Sequence, residues 1–188
     1  MCSPLRLGKV IIIEMKVYLV RHGESVNNDN GQPRTAETPL SELGENQARA
    51  VAKRLSDLKF DLIYSSSYTR AKQTAEIIST QLDKPIEYWD HLIEFNPQAE
   101  NFDKLAKRAQ AILDHLLNHH RDQTVLCVSH ASMIETIIAK AVFGDHLTQE
   151  MLIDIKDHFD TTNTGISIVH FTKEHGWSLQ SFNDAEHL

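Results

Sequence analysis

Cysteine is scarce in this chain: its 188 residues contain only Cys2 and Cys127. Two cysteines cannot form the framework of disulfides that staples small secreted domains. Cys127 lies inside the apolar run 125–128, where a small buried side chain is more typical than a reactive thiol. The sequence therefore predicts a protein of a reducing compartment, the cytoplasm.

Long hydrophobic runs are also missing. No apolar stretch approaches the ~20 residues of a membrane-spanning helix, so we expect no membrane contact. Near the N-terminus, Arg6 and Lys9 precede only the short run 10–13, whereas a secretory signal needs an apolar core of ~7 residues or more. We treat residues 1–14 as an extension outside the catalytic core, with Met15 as an alternative start to Met1.

Positive charge is in deficit, because the formal net charge is -7 at pH 7. Binding to a nucleic-acid backbone normally needs a basic stripe, so we expect no nucleic-acid partner, although a small cationic pocket is still allowed. The 11 histidines are scattered rather than set at metal-ligand spacing. Most of them, including His119 and His120, are predicted to be solvated surface residues. We therefore expect neither a metal nor a cofactor.

The chain does contain a regular alternation of short apolar runs and amphipathic stretches. Its length and its 41% hydrophobic content suit one α/β domain covering residues 1–188. Strands that alternate with helices predict a three-layer α/β/α sandwich around a mainly parallel sheet. The predicted strands are 16–21, 61–64, 86–88 and 124–129, with a final hairpin of 165–171 and 177–182; the predicted helices are 41–57, 69–81, 102–119 and 131–143.

Three of the predicted strands lead into residues suited to binding phosphate. Arg21 and His22 follow the first strand, Arg70 opens the helix after the second, and His130 follows a later one. Arginine offers a planar fork for phosphate oxygens, and a neutral imidazole can attack phosphorus or move protons. The free N–H groups of a first helical turn also favour an anion beside Arg70. Because carboxyl ends of parallel strands share one edge, we expect these side chains to meet there.

Longer motifs surround these residues: VYLVRHGES at 17–25, ETPLSELGENQARAVAKRL at 37–55, IYSSSYTRAKQTAEII at 63–78 and VLCVSHASMI at 125–134. In this order, and over most of the chain, they resemble the histidine phosphatase superfamily, the phosphoglycerate mutase-like proteins. The resemblance implies the same three-layer fold and a phosphohistidine intermediate on His22. It also implies that Arg21, Arg70 and His130 surround the phosphate oxygens.

Two further site residues depend on the resemblance. Asn28 falls where the family often has a phosphate-contacting asparagine, although Asn27 beside it leaves a one-residue ambiguity. The leaving oxygen needs a proton, and a carboxylic acid with a raised pKa suits that step. Glu94 is the best match to the family's glutamate, with Glu87 and Glu100 as alternatives. After Glu94 the chain departs from the family pattern, since it reads FNPQAE in place of a glycine and an aromatic-Glu-Gly string.

The length of the stretch between Glu94 and His130 distinguishes a phosphatase from a mutase. It is largely consumed by one helix and one strand, so the long insertion that the family's mutases carry there is missing. The sequence therefore predicts hydrolysis of small phosphomonoesters, with a small phosphorylated metabolite or inorganic phosphate as ligand. The alternatives are a phosphoglycerate mutase, a weakly catalytic phospho-ligand binding protein and a metal phosphatase. Arg34, Trp89 and Phe95 are candidates for the mouth of the site; the physiological substrate and the oligomeric state are left open.

Overall fold

The computed structural model describes residues 14–26 and 35–188 as an α/β fold. Its strands are β1 (Glu14–Arg21), β2 (Leu62–Ser65), β3 (Ile86–Tyr88), β4 (Thr124–Ser129), β5 (Ile166–Thr172) and β6 (Gly176–Asp184). Its helices are α1 (Glu42–Leu55), α2 (Thr69–Leu82), α3 (Phe102–His119), α4 (Ala131–Phe143) and α5 (Gln149–His158).

The six strands form one sheet in the order β3-β2-β4-β1-β5-β6. The first four of that order pair in parallel, whereas β5 is antiparallel to β1 and β6 is antiparallel to β5. The antiparallel edge is the hairpin that the sequence predicts. The prediction of a mainly parallel sheet is confirmed, and its parallel part is the one that carries the motifs.

Helices cover both faces of the sheet. Successive side chains of a strand point to opposite faces of the sheet. In β4, Val128 belongs to the hydrophobic core beneath α1 and α2, whereas Cys127 belongs to the hydrophobic core beneath α3, α4 and α5. Both side chains are fully buried. Burial raises the pKa of the Cys127 thiol to about 12, which leaves it protonated and unreactive. The three-layer sandwich is thereby confirmed.

Some boundaries differ from the predictions. The helix predicted over 41–57 is shorter at both ends. Ser41 is its N-cap and accepts a hydrogen bond from the Gly44 N–H, and Ser56 is its C-cap. Glu14 already belongs to β1, so the sheet takes in the last residue of the proposed extension; residues 1–13 lie outside the described part. Helix α5 is not predicted at all. Its only buried residue is Leu152, with Met151 and Ile155 partly buried beside it, so its apolar stripe is short.

The histidine pair at the end of α3 also differs from expectation. His119 is exposed, but His120 is half-buried, with its Nε2 2.9 Å from the Tyr64 hydroxyl and its Nδ1 2.8 Å from Gln123 Oε1. The prediction of a solvated side chain is therefore wrong for His120. Among the described residues, no helix is both long and apolar enough to cross a membrane.

Candidate active site

Strand register brings the predicted residues to one edge of the sheet. Arg21 at the end of β1 lies opposite Ser129 at the end of β4. The next residue, His22, continues the pairing, since its N–H donates to the Ser129 carbonyl across 3.0 Å. His130 therefore follows β4 at the level where His22 follows β1. Two histidines far apart in the sequence become neighbours, with ring centroids 5.0 Å apart.

The hydrogen bonds of His22 define its tautomer. Its Nδ1 lies 2.6 Å from the Gly23 carbonyl oxygen, and its Nε2 accepts a hydrogen bond of 3.0 Å from Arg70 Nε. A carbonyl only accepts and a guanidinium only donates. The proton therefore sits on Nδ1, and Nε2 carries a lone pair. The ring is the neutral imidazole that in-line attack requires, and its partner carbonyl belongs to the next residue in the chain.

A close approach of two glycines fixes the turn after His22. A Cβ atom at Gly23 would lie 2.4 Å from the Gly44 oxygen, and one at Gly44 would lie 1.9 Å from the Glu24 oxygen. The N–H groups of the turn are held by side chains, because Gly23 donates to Thr74 Oγ1 across 3.0 Å and Glu24 donates to Gln47 Oε1 across 2.8 Å. Gly44 and Gln47 of α1, which belong to the motif at 37–55, thus support the backbone that positions the His22 imidazole.

His130 is fully buried, and only one of its ring nitrogens has a partner. Its Nε2 lies 2.8 Å from Ser66 Oγ, which itself accepts the Tyr68 N–H at 3.2 Å. Since Ser66 accepts the Tyr68 N–H, its own proton is available for Nε2, and we infer that it donates there and that the ring proton is on Nδ1. Nδ1 is buried and has no hydrogen-bond partner in the described part of the chain. Burial is the main reason that the pKa of His130 lies well below its ordinary value, and the nearby His22 and arginines lower it further.

Both arginines are anchored beside the histidines. Arg70 lies in the first turn of α2, is 4% exposed, and donates from Nη1 to the Thr35 carbonyl across 2.9 Å. Its guanidinium carbon lies 5.3 Å from the centroid of the Tyr68 ring. Arg21 donates from Nη1 to the Thr161 carbonyl. Planar guanidinium groups fixed in this way are suited to a phosphate group at the sheet edge.

Glu94 faces the same region. It lines a cavity of about 290 Å³ together with Tyr68, Arg70 and Phe95. Burial raises the pKa of its carboxyl, and the Phe95 N–H, Arg70, Arg21 and Lys156 act against that rise. A carboxyl that keeps its proton more readily than usual is suited to general acid catalysis.

The two alternative carboxylates lie elsewhere. Glu100 is ion-paired with Arg108, whose Nε donates to it across 3.2 Å. Glu87 is an exposed residue of the edge strand β3. Of the three candidates, Glu94 is the one that lines a cavity with Arg70.

The residues predicted to line the mouth of the site lie in different places. Phe95 lines the cavity beside Glu94, whereas Trp89 packs its ring against Tyr64 and His115 at centroid distances of 5.3 and 4.7 Å. Asn27, Asn28 and Arg34 lie outside the described residues.

Three polar residues near the site escape the sequence analysis. Ser66 belongs to a serine triplet in which nothing marks the member that contacts His130. Glu135 accepts a 2.8 Å hydrogen bond from Thr161 Oγ1, and burial raises the pKa of its carboxyl. Lys156 lies on the unpredicted helix α5, with its ammonium 4.8 Å from the centroid of Phe95. A helix signal was available, because Thr148 is the N-cap of α5.

Within residues 14–26 and 35–188, no group of three or more His, Cys, Asp or Glu side chains is arranged to hold a metal ion. The site consists instead of two buried imidazoles, two arginines and one carboxyl. Such an arrangement can accept a phosphoryl group on nitrogen and balance the charge of its oxygens.

Comparison with known proteins identifies the family of the chain. The model of the histidine phosphatase superfamily (branch 1) matches residues 17–98 and 95–185, so the chain belongs to that superfamily. It is 28% identical over 195 residues to the uncharacterized phosphatase PhoE of Bacillus subtilis, covering 92% of this chain and 96% of that protein. It is 26% identical to a metal-independent phosphoserine phosphatase of Arabidopsis thaliana, covering 92% of this chain and 83% of that one.

A solved structure has the same fold. The phosphoserine phosphatase of Entamoeba histolytica in complex with 3-phosphoglyceric acid superposes with a TM-score of 0.77 at 27% identity, covering 93% of this chain and 99% of that one. The relatives include phosphatases and probable phosphoglycerate mutases. The superfamily and its phosphatase members support a phosphoric monoester hydrolase activity.

Proposed function

We propose that this protein hydrolyses small phosphorylated metabolites in the cytoplasm through a phosphohistidine on His22. The observation that carries the proposal is the neutral tautomer of His22, with the lone pair of Nε2 directed into a region that contains Arg70 and His130. Nucleophile and cations are thus assembled before the substrate binds, as phosphoryl transfer requires. Phosphoserine and 3-phosphoglycerate, which are bound by a related phosphatase from E. histolytica, illustrate the class of ligand.

In the first step the Nε2 lone pair attacks phosphorus, an N–P bond forms, and the P–O bond to the leaving group breaks. The proton of Glu94 goes to the leaving oxygen, which departs as an alcohol. The Nδ1–H of His22, held by the Gly23 carbonyl, stabilises the charge that the ring acquires. Arg21, Arg70 and the Nδ1–H of His130 bind the non-bridging oxygens.

In the second step water attacks the phosphohistidine. The Glu94 carboxylate takes a proton from this water, the N–P bond breaks, and its electron pair returns to Nε2. Inorganic phosphate leaves, and both groups regain their starting protonation. Asn28 is kept as a proposed phosphate ligand, and residues 15–188 are proposed to act as one catalytic domain.

Hydrolysis of p-nitrophenyl phosphate tests the proposal. We expect vanadate-sensitive turnover that chelators do not affect, and acid-labile, base-stable phosphate on the protein after rapid quenching. His22→Ala should abolish both signals, while His175→Ala, a change at a histidine whose side chain is 75% exposed, should preserve them. Binding of phosphate without turnover between pH 5 and 8 would instead identify a phospho-ligand binding protein.

The mutase alternative has its own assay. Incubation with 3-phosphoglycerate and 2,3-bisphosphoglycerate should release inorganic phosphate if the protein is a phosphatase. Efficient interconversion of phosphoglycerates without phosphate release would overturn the proposal.

A further inference from the structure

Lys156 introduces a third positive charge beside the two arginines. It lies near the C-terminal end of α5, is half-buried, and holds its ammonium 4.8 Å from the centroid of Phe95. Phe95 in turn lines the cavity of Glu94 and Arg70. The ammonium therefore stands next to the site where the leaving group must lie.

A second cavity is lined by both this lysine and Arg21. It has a volume of about 330 Å³, and its walls include Arg21, Glu135 and Lys156. The remaining charged groups on its walls, Asp157, His158 and Asp160, are exposed to solvent. Because Arg21 also belongs to the proposed phosphate site, the cavity extends from that site to the lysine.

The Lys156 ammonium is not neutralised by a contacting acid. Among residues 14–26 and 35–188, no carboxylate lies within ion-pair distance of it; the ammonium lies over the Phe95 ring and acts at longer range on the Glu94 and Glu135 carboxyls. The Glu135 carboxylate on the same wall is engaged by Thr161 Oγ1 across 2.8 Å. Contact with an aromatic face does not exhaust the hydrogen-bonding capacity of an ammonium, which has three N–H donors.

We propose that Lys156 binds a carboxylate on the substrate, so that the preferred substrates are small phosphorylated carboxylic acids. This inference rests on the proposed function, since it assigns the phosphate to the two arginines and the rest of the substrate to the lysine. A single ammonium matches the one charge of a carboxylate, whereas a second phosphate, with a charge of about -1.5 to -2, would be only partly compensated. The volume beside Arg21 also restricts the class to small acids.

A matched pair of ligands tests the proposal. 3-Phosphoglycerate and glycerol 3-phosphate share a three-carbon skeleton and a phosphate, and only the former has a carboxylate. Calorimetric binding to the non-reactive His22→Ala variant should favour 3-phosphoglycerate by about tenfold or more, as expected for a hydrogen bond between charged groups. The double variant His22→Ala/Lys156→Gln should bring the ratio of the two Kd values close to one.

Lys72 offers a matched control, because its ammonium also lies over an aromatic ring, 5.1 Å from the centroid of Tyr88. Lys72→Gln in the same background should leave the Kd ratio unchanged. Equal affinities in His22→Ala, or a preference that survives Lys156→Gln, would overturn the assignment. Turnover of p-nitrophenyl phosphate by the wild type tests the proposed function separately, since these binding ratios do not depend on catalysis.

Discussion

Arg70 and His22 share one hydrogen bond, from the guanidinium Nε to the imidazole Nε2 across 3.0 Å. The same Nε2 is the proposed nucleophile, so the arginine holds the lone pair that must attack. A phosphate oxygen is a charged acceptor and binds a guanidinium more strongly than a neutral ring nitrogen does. We therefore expect bound phosphate to draw the Arg70 guanidinium away from Nε2, which would free the lone pair for attack.

The shape of the Arg70 side chain should matter as much as its charge. Arg70→Lys keeps the charge but loses the Nε that meets His22 and the Nη1 that meets the Thr35 carbonyl. We expect kcat/KM for p-nitrophenyl phosphate to fall about 10²- to 10³-fold, the range for losing a transition-state donor. Arg54→Lys, at an exposed pair with Asp184, is the control and should be neutral. A loss below threefold for Arg70→Lys would contradict this geometry.

Ser66 is predicted to act through His130, by keeping the ring proton on Nδ1. Ser66→Ala should lower kcat/KM about tenfold, since it removes one hydrogen bond to a buried group, and Ser66→Thr should largely restore it. The specific readout is the nitrogen NMR spectrum of His130, which should show protonated Nδ1 in the wild type and a mixture of tautomers in Ser66→Ala.

The control for this serine is Ser178→Ala, an exposed position on β6. A wild-type spectrum with the His130 proton on Nε2, or one that Ser66→Ala leaves unchanged, would show that the hydrogen bond has no such role.

Glu94 should control the alkaline limb of the pH profile. Its raised pKa keeps the carboxyl protonated to higher pH than usual, and kcat/KM for alkyl phosphates should fall as the pH rises through that pKa. Glu94→Gln should reduce kcat/KM, which reports formation of the phosphohistidine, by about 10²- to 10⁴-fold for alkyl phosphates, which need the proton, and by much less for p-nitrophenyl phosphate. An equal loss of kcat/KM for both substrates would contradict the role of Glu94 as the acid.

The same carboxyl links stability to pH. Its pKa is higher in the folded protein than the ordinary value of 4.5, so the folded state binds the proton more tightly and loses stability as the pH rises from 4.5 through the raised pKa. Glu94→Gln cannot ionise. It should therefore unfold at a higher urea concentration than the wild type at pH 7 and lose that advantage at pH 4, where the carboxyl is protonated in both states.

Gly44 tests the support beneath His22. Within a helix, replacing glycine by alanine normally stabilises by about 1 kcal/mol. Here the new Cβ would lie 1.9 Å from the Glu24 backbone oxygen, so the turn must shift. We expect Gly44→Ala to reverse the usual sign, destabilise by about 1–3 kcal/mol as overpacking does, and reduce turnover. Arg49→Ala, at an exposed position of the same helix, is the control for urea unfolding. A stabilised Gly44→Ala protein would refute the close approach.

Much of the fold could be predicted, because the parallel strands are buried on both faces and read as short apolar runs. The meeting of Arg21, Arg70 and His130 at one edge follows from that, since carboxyl ends of parallel strands share an edge, whereas the register of Arg21 with Ser129 comes only from the structure. Helix α5 is missed although Thr148 and the apolar residues 151, 152 and 155 offer a signal, because its apolar stripe is short and only Leu152 is buried. Lys156, the residue that we propose binds the substrate carboxylate, lies on this helix and is missed for the same reason.

The sequence by itself determined the family, the layered fold and the residue types of the site, because motif order, strand patterning and helix capping are local properties of the chain. Tertiary structure alone decided which atoms meet: the proton of His22 on Nδ1, the choice of Glu94 over Glu87 and Glu100 as cavity neighbour of Arg70, and the contact of Ser66 with His130. These depend on distances of about 3 Å between residues far apart in the chain, and hydrogen bonds are lost beyond that range. No local pattern encodes such distances; the packing of the helices on the sheet sets them.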